Sequence, residues 1–138
     1  MVTMSDVVKG FPGALDGARG LSAGEIARIE ADQGVSLPAD YREFLEVAGG
    51  GGMAALVGEE YEFPGLLGIK ERARETCEEA GSPESFDGCV VFLSHQGYIF
   101  YFIGPAGSGV YEISEDGEPA YRCAESFAEF LVGVLEQD

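Results

Sequence analysis

Tryptophan is absent, histidine occurs once, and lysine and arginine together number eight in 138 residues. Each scarcity excludes something. Against 25 aspartates and glutamates the few basic residues leave a net charge of −17, a field that repels DNA, RNA and anionic membrane surfaces and attracts basic protein surfaces. One histidine, His95, and three widely spaced cysteines, Cys77, Cys89 and Cys123, supply neither a zinc-ligand pattern nor a C-x-x-C pair. The odd cysteine count fits no disulfide framework, so the thiols are expected to be reduced, in a cytosol, and mostly buried as small apolar groups. No apolar run approaches the ~20 residues that cross a bilayer, and the opening MVTMSDVVKGFPG lacks the basic and long apolar regions of a secretion signal. The expectation is a soluble, cytoplasmic protein with no metal and no cofactor.

Catalytic signatures are missing as well. Neither G-x-S-x-G nor H-E-x-x-H occurs. His95, in FLSHQGYIFYFI, has no partner visible in the sequence and is expected to be a turn histidine bonded to nearby backbone. The GGGG of Gly49–Gly52 has no Lys-Ser/Thr after it, so it is expected to stop a helix, and to be the one flexible spot in the domain, rather than cradle a phosphate. Carboxylate pairs such as Glu59-Glu60 and Glu78-Glu79 arise from composition in so acidic a chain. These absences argue against an enzyme.

What is present is a run of helices followed by a run of strands. A chain of this length, 46% hydrophobic, fits one domain that buries roughly two thirds of its unfolded surface. Ser22 with Glu25 makes a capping box for a helix to about Gln33, ended by Gly34. Pro38 opens a second helix in which Tyr41, Phe44, Leu45 and Ala48 share a face. Ile69–Ala80 reads as a weakly amphipathic surface helix. A last helix follows Ser126, with Glu129 as its capping partner and Phe127, Phe130, Leu131, Val134 and Leu135 along one stripe. Between these, Cys89–Leu93 and Tyr98–Ile103 are strands joined by the hairpin residues Ser94–Gly97, and the second is apolar on both alternating faces, as a strand covered on two sides would be. Val110–Ser114 leads through Asp116-Gly117 to a short fourth strand in Glu118–Cys123. The predicted fold is α+β: a single domain with a mainly antiparallel meander in its C-terminal half, flanked by N-terminal helices and a C-terminal helix.

These segments resemble the SUKH superfamily, which includes fungal cell-wall assembly regulators and bacterial immunity proteins. The likeness is carried by LSAGEIARIEADQGVSLPADYREFLEVAGGGG, with Glu30, Leu37, Pro38, Tyr41, Phe44, Leu45, Gly49 and Gly50 in the matching positions. VVFLSHQGYIFYFI, Val110-Tyr111 and ESFAEFL extend it across about Leu21 to Leu135. The chain departs from the family at Gly107–Gly109, where an acidic-proline segment is common. The resemblance implies a non-catalytic antidote that binds a cognate toxin, often a nuclease; the alternative is a regulatory adaptor of the cell-wall-regulator type.

Charge gives candidate contact residues. From Glu75 to Asp138 there are thirteen acidic residues and one basic, Arg122, so this part supplies −12 of the −17. A surface that captures a basic partner should combine carboxylates, which set encounter rate, with exposed aromatic anchors. Two segments fit. One is Glu59, Glu60, Tyr61 and Glu62, with no basic residue between Glu43 and Ile69 in the sequence; the other is Glu112, Glu115, Asp116 and Glu118 on and beside a hairpin tip.

Overall fold

The computed structural model describes residues 1–137. Its first helix, α1 (Met4–Gly10), is one the sequence reading does not contain. Thr3 and Asp6 close a capping box around it, and Met4 and Val7 are its buried residues. α2 (Ala23–Gln33) starts at the predicted box: the Glu25 N–H donates to Ser22 Oγ and the Ser22 N–H to Glu25 Oε1. It ends at Gly34, whose φ of 75° is the left-handed conformation glycine adopts without a Cβ penalty. α3 (Ala39–Ala48) buries Tyr41, Phe44, Leu45 and Ala48, the four residues its periodicity singles out.

The glycine run after α3 stops the helix, and it is not a flexible spot. Arg19 N–H donates to Gly51 O at 2.8 Å and Gly50 N–H to Arg19 O at 2.7 Å, so two backbones lie against each other. A Cβ on Gly52 would sit 2.2 Å from the Gly17 carbonyl oxygen, which leaves glycine as the residue that fits. A 3-10 turn at Ala54–Leu56 then leads to α4 (Ile69–Glu79). This helix is more than a surface element: Ile69, Lys70, Ala73 and Cys77 are buried against the sheet. Its sequence hides that face because one of the four buried positions is a lysine.

Four strands follow, β1 (Val90–His95), β2 (Ile99–Ile103), β3 (Val110–Ser114) and β4 (Tyr121–Ala124), antiparallel in the order β1-β2-β3-β4. α5 (Phe127–Gln137) closes the chain. The α+β meander predicted from the sequence is therefore the fold. Successive residues of β2 point to opposite faces: Tyr101 packs on Phe130 of α5 with ring centroids 5.2 Å apart, and Phe102 packs edge-on to Phe86 at 5.0 Å. That is why β2 is apolar on both faces. On the α5 side Tyr41, Phe44, Phe92 and Phe127 form an aromatic core with centroids 5.0–6.4 Å apart. Each such buried ring contributes about 1.5–3 kcal/mol by leaving water.

Polar contacts also tie the layers together. The Gln33 amide bonds both backbone groups of Val91, donating to its O at 2.7 Å and accepting from its N–H at 3.0 Å. Farther along the same edge of β1, Glu60 and Ser94 exchange backbone bonds. The outer edge of β1 is thereby blocked to other strands. Lys70, also buried, donates to Gln33 O and Cys89 O, both at 2.7 Å. Burial pushes its ammonium below the usual lysine range, with Arg74 adding to the effect. At the other end, Asp40 Oδ2 accepts from the Ala128 N–H in the first turn of α5 at 3.0 Å, across 88 residues of sequence.

Candidate protein-binding site

Pairing across the meander puts Leu93, Tyr101, Glu112 and Tyr121 opposite one another in register, one residue from each strand. Residues so aligned share a face. The face is the one under α5, and the two do not meet completely. Between them runs a groove of about 570 Å³ whose third wall is the segment from Ala55 to Glu59.

The groove has an apolar floor and an acidic rim. Tyr101 and Phe130 form the aromatic part of the floor. Glu112 accepts from the Tyr101 hydroxyl at 2.5 Å and from the Tyr121 hydroxyl, so two phenols fix its carboxylate. The bond to Glu112 pushes the Tyr121 phenol up to about 12, while burial and then Glu112 push Tyr101 up as well. Both phenols stay protonated and remain donors. Glu129 and Glu136 project from α5 into the same groove. The Ser126 hydroxyl accepts from the Glu129 N–H at 3.1 Å as predicted, and the Glu129 side chain lines the groove.

His95 lies at one end. It is the last residue of β1, paired with Ile99, and its partner is a carboxylate rather than nearby backbone: Nδ1 is 2.8 Å from Glu59 Oε1. The sequence could not show this pair, because the Glu60–Ser94 bridge brings together residues 36 apart. Cys123, on β4, also lines the groove. Three interstrand spacings put β1 and β4 about 14 Å apart, beyond proton-transfer reach between His95 and Cys123. Partial burial of its sulfur also pushes the Cys123 thiol up, away from the nucleophilic thiolate.

Of the candidate contact residues, Glu59 and Glu112 meet in this groove. The others go elsewhere. Tyr61 is 5% exposed and its hydroxyl accepts from the Met53 N–H at 3.1 Å, so it is a core residue and cannot serve as an exposed anchor. Glu60 is paired with Arg72 of α4, a neutralising charge that lies far along the sequence but close in space. Glu62 is partly buried beside Gly51 and Arg19. Glu115, Asp116 and Glu118 are exposed at the β3–β4 turn, where the Glu118 N–H bonds the Asp116 carboxylate and holds it below its ordinary range. Tyr101, Glu129, Phe130, Gly133 and Glu136 were not singled out from the sequence as contact residues. Their only signal was the seven-residue spacing of Glu129 and Glu136, which stacks them on one side of a helix.

The sequence profile of the SMI1 / KNR4 family (SUKH-1) matches residues 20–133. The chain belongs to this family. No curated protein matches it. The match spans the groove and most of its lining, and the family covers immunity proteins and Knr4-type regulators, in general non-catalytic binding proteins. The positions that carry the family likeness are structural in this SUKH-1 domain. Glu30 Oε2 accepts from the Leu37 N–H at 2.9 Å and pairs with Arg42 at 2.5 Å, which fixes the turn between α2 and α3. Leu37, Tyr41, Phe44 and Leu45 are core. No described helix is long and apolar enough to cross a membrane.

Proposed function

We propose that this SUKH-1 domain is an immunity protein, a non-catalytic binder that docks on a basic toxin domain and blocks it. One arrangement supports this above all: carboxylates from three separate segments, Glu59, Glu112, and Glu129 with Glu136, surround one apolar groove. An apolar floor inside a charged rim is the build of a protein-recognition surface, the floor holding the complex and the rim steering encounter. A net charge of −17 sets the sign of the partner. Nuclease toxins answer it, because they need basic surfaces to grip nucleic acid.

The test looks in the genes beside this one for a toxin domain and expresses it in bacteria with and without this chain. Growth restored only by co-expression is the expected result. Association should slow as salt rises, and E129K with E136K should slow it about tenfold at low salt without unfolding the protein. E115K with D116K and E118K tests the hairpin in the same way. A stable complex that gives no protection, or no complex at all, would sink the immunity reading and leave the regulatory adaptor.

A further inference from the structure

We propose that the groove seats an arginine side chain of the partner and that Gly133 leaves the space for it. The proposal rests on the protein-binding reading and not on the partner's being a toxin. Gly133 lies in the interior of α5, where glycine is destabilising relative to alanine. No packing among the described residues requires it: beyond its chain neighbours and its own helix backbone, a Cβ built there meets no atom within 4 Å. The residue faces the groove, so the missing methyl group leaves room outside the protein's own packing.

The charge at the C-terminal end of that space is also unfavourable as it stands. Glu136 sits in the last turn of α5, which has no basic residue, at the end where unpaired helix carbonyls carry partial negative charge. Glu129 is two turns away, about 10.5 Å along the axis. Neither is in an ion pair among the described residues. A bound cation offsets the negative charge at the C-terminal end and is attracted by Glu129 as well.

The floor selects the kind of cation. A guanidinium stacks on aromatic faces such as those of Tyr101 and Phe130, and its planar fork matches a fixed carboxylate. Glu112, held by two phenols, is such a carboxylate. A lysine ammonium, compact and strongly hydrated, gains less from either feature.

The experiment titrates the ¹⁵N-labelled chain with the capped peptide acetyl-Gly-Arg-Gly-amide, and with its neutral citrulline counterpart, while following backbone amide shifts. Saturable shifts are expected around Tyr101, Glu112, Phe130, Gly133 and Glu136, with citrulline about tenfold weaker or worse. G133A should raise the melting temperature while weakening the arginine peptide at least about threefold, a divergence that a purely structural glycine would not produce. E129Q with E136Q should weaken it with the fold unchanged. No saturable shift, shifts centred outside the groove, equal binding of citrulline, or G133A binding as tightly as wild type would each overturn the proposal. Since no toxin is used, toxin protection can fail while the arginine seat stands, and the seat can fail while protection stands on another surface.

Discussion

Gln33 makes to Val91 the two hydrogen bonds that an adjoining strand would make. One side-chain amide at the end of α2 therefore continues the sheet by a single pair. Gln33→Ala should leave the Val91 N–H and C=O unpaired in a buried site and destabilise the protein by about 2–4 kcal/mol. Urea unfolding would measure this, and a loss below about 0.5 kcal/mol would mean that water replaces the amide.

Lys70 gives a pH signature. Because burial lowers its pKa in the fold, the unfolded chain holds that proton to higher pH, so Lys70 adds a rise in stability between the lowered pKa and its ordinary 10.5. Buried thiols act in the opposite sense: Cys89 is raised to about 11 by burial. Comparison with Lys70→Met isolates the lysine, and the wild-type minus variant difference should climb with pH through that window. A flat difference would contradict the assignment.

Tyr41 is buried among Phe44, Phe92 and Phe127, and its hydroxyl has no hydrogen-bond partner among the described residues. Tyr41→Phe removes an unsatisfied polar atom and keeps the ring. The variant should be more stable by about 1 kcal/mol. Thermal unfolding that shows a clear loss would reveal a partner for the hydroxyl.

The spread of the three thiols can be read directly. Cys77 and Cys89 are buried, Cys123 is exposed, and none is in a disulfide. A thiol reagent should modify one group per native chain, slowly because the Cys123 thiol is pushed up, and three after unfolding.

Local chemistry made most of the fold legible. The Ser22–Glu25 box, the α3 stripe and the β1–β2 hairpin all depend on residues within a few positions of one another. α1 escaped because seven residues with two buried positions carry too little periodicity, and its box closes with aspartate rather than glutamate. The groove was half legible. Acidic runs point to Glu59 and Glu112, while in the sequence Glu129 reads only as a helix-capping partner and Gly133 has no meaning until the space beside it is known. Tyr61 misled because its acidic neighbours suggested exposure, whereas the Glu60–Ser94 bridge fixes the segment with the ring turned inward.

The bond from Ala128 to Asp40 spans 88 residues, and it bears on how the chain folds during synthesis. The aromatic face of α3 has its partners on β1 and α5, made later by the ribosome. Tyr41 can meet Phe92 and Phe44 can meet Tyr61 earlier, but both lack the Phe127 ring until it emerges, and closing so long a loop must precede the contacts that reward it. The N-terminal helices thus complete their half of the core only after α5 has been made.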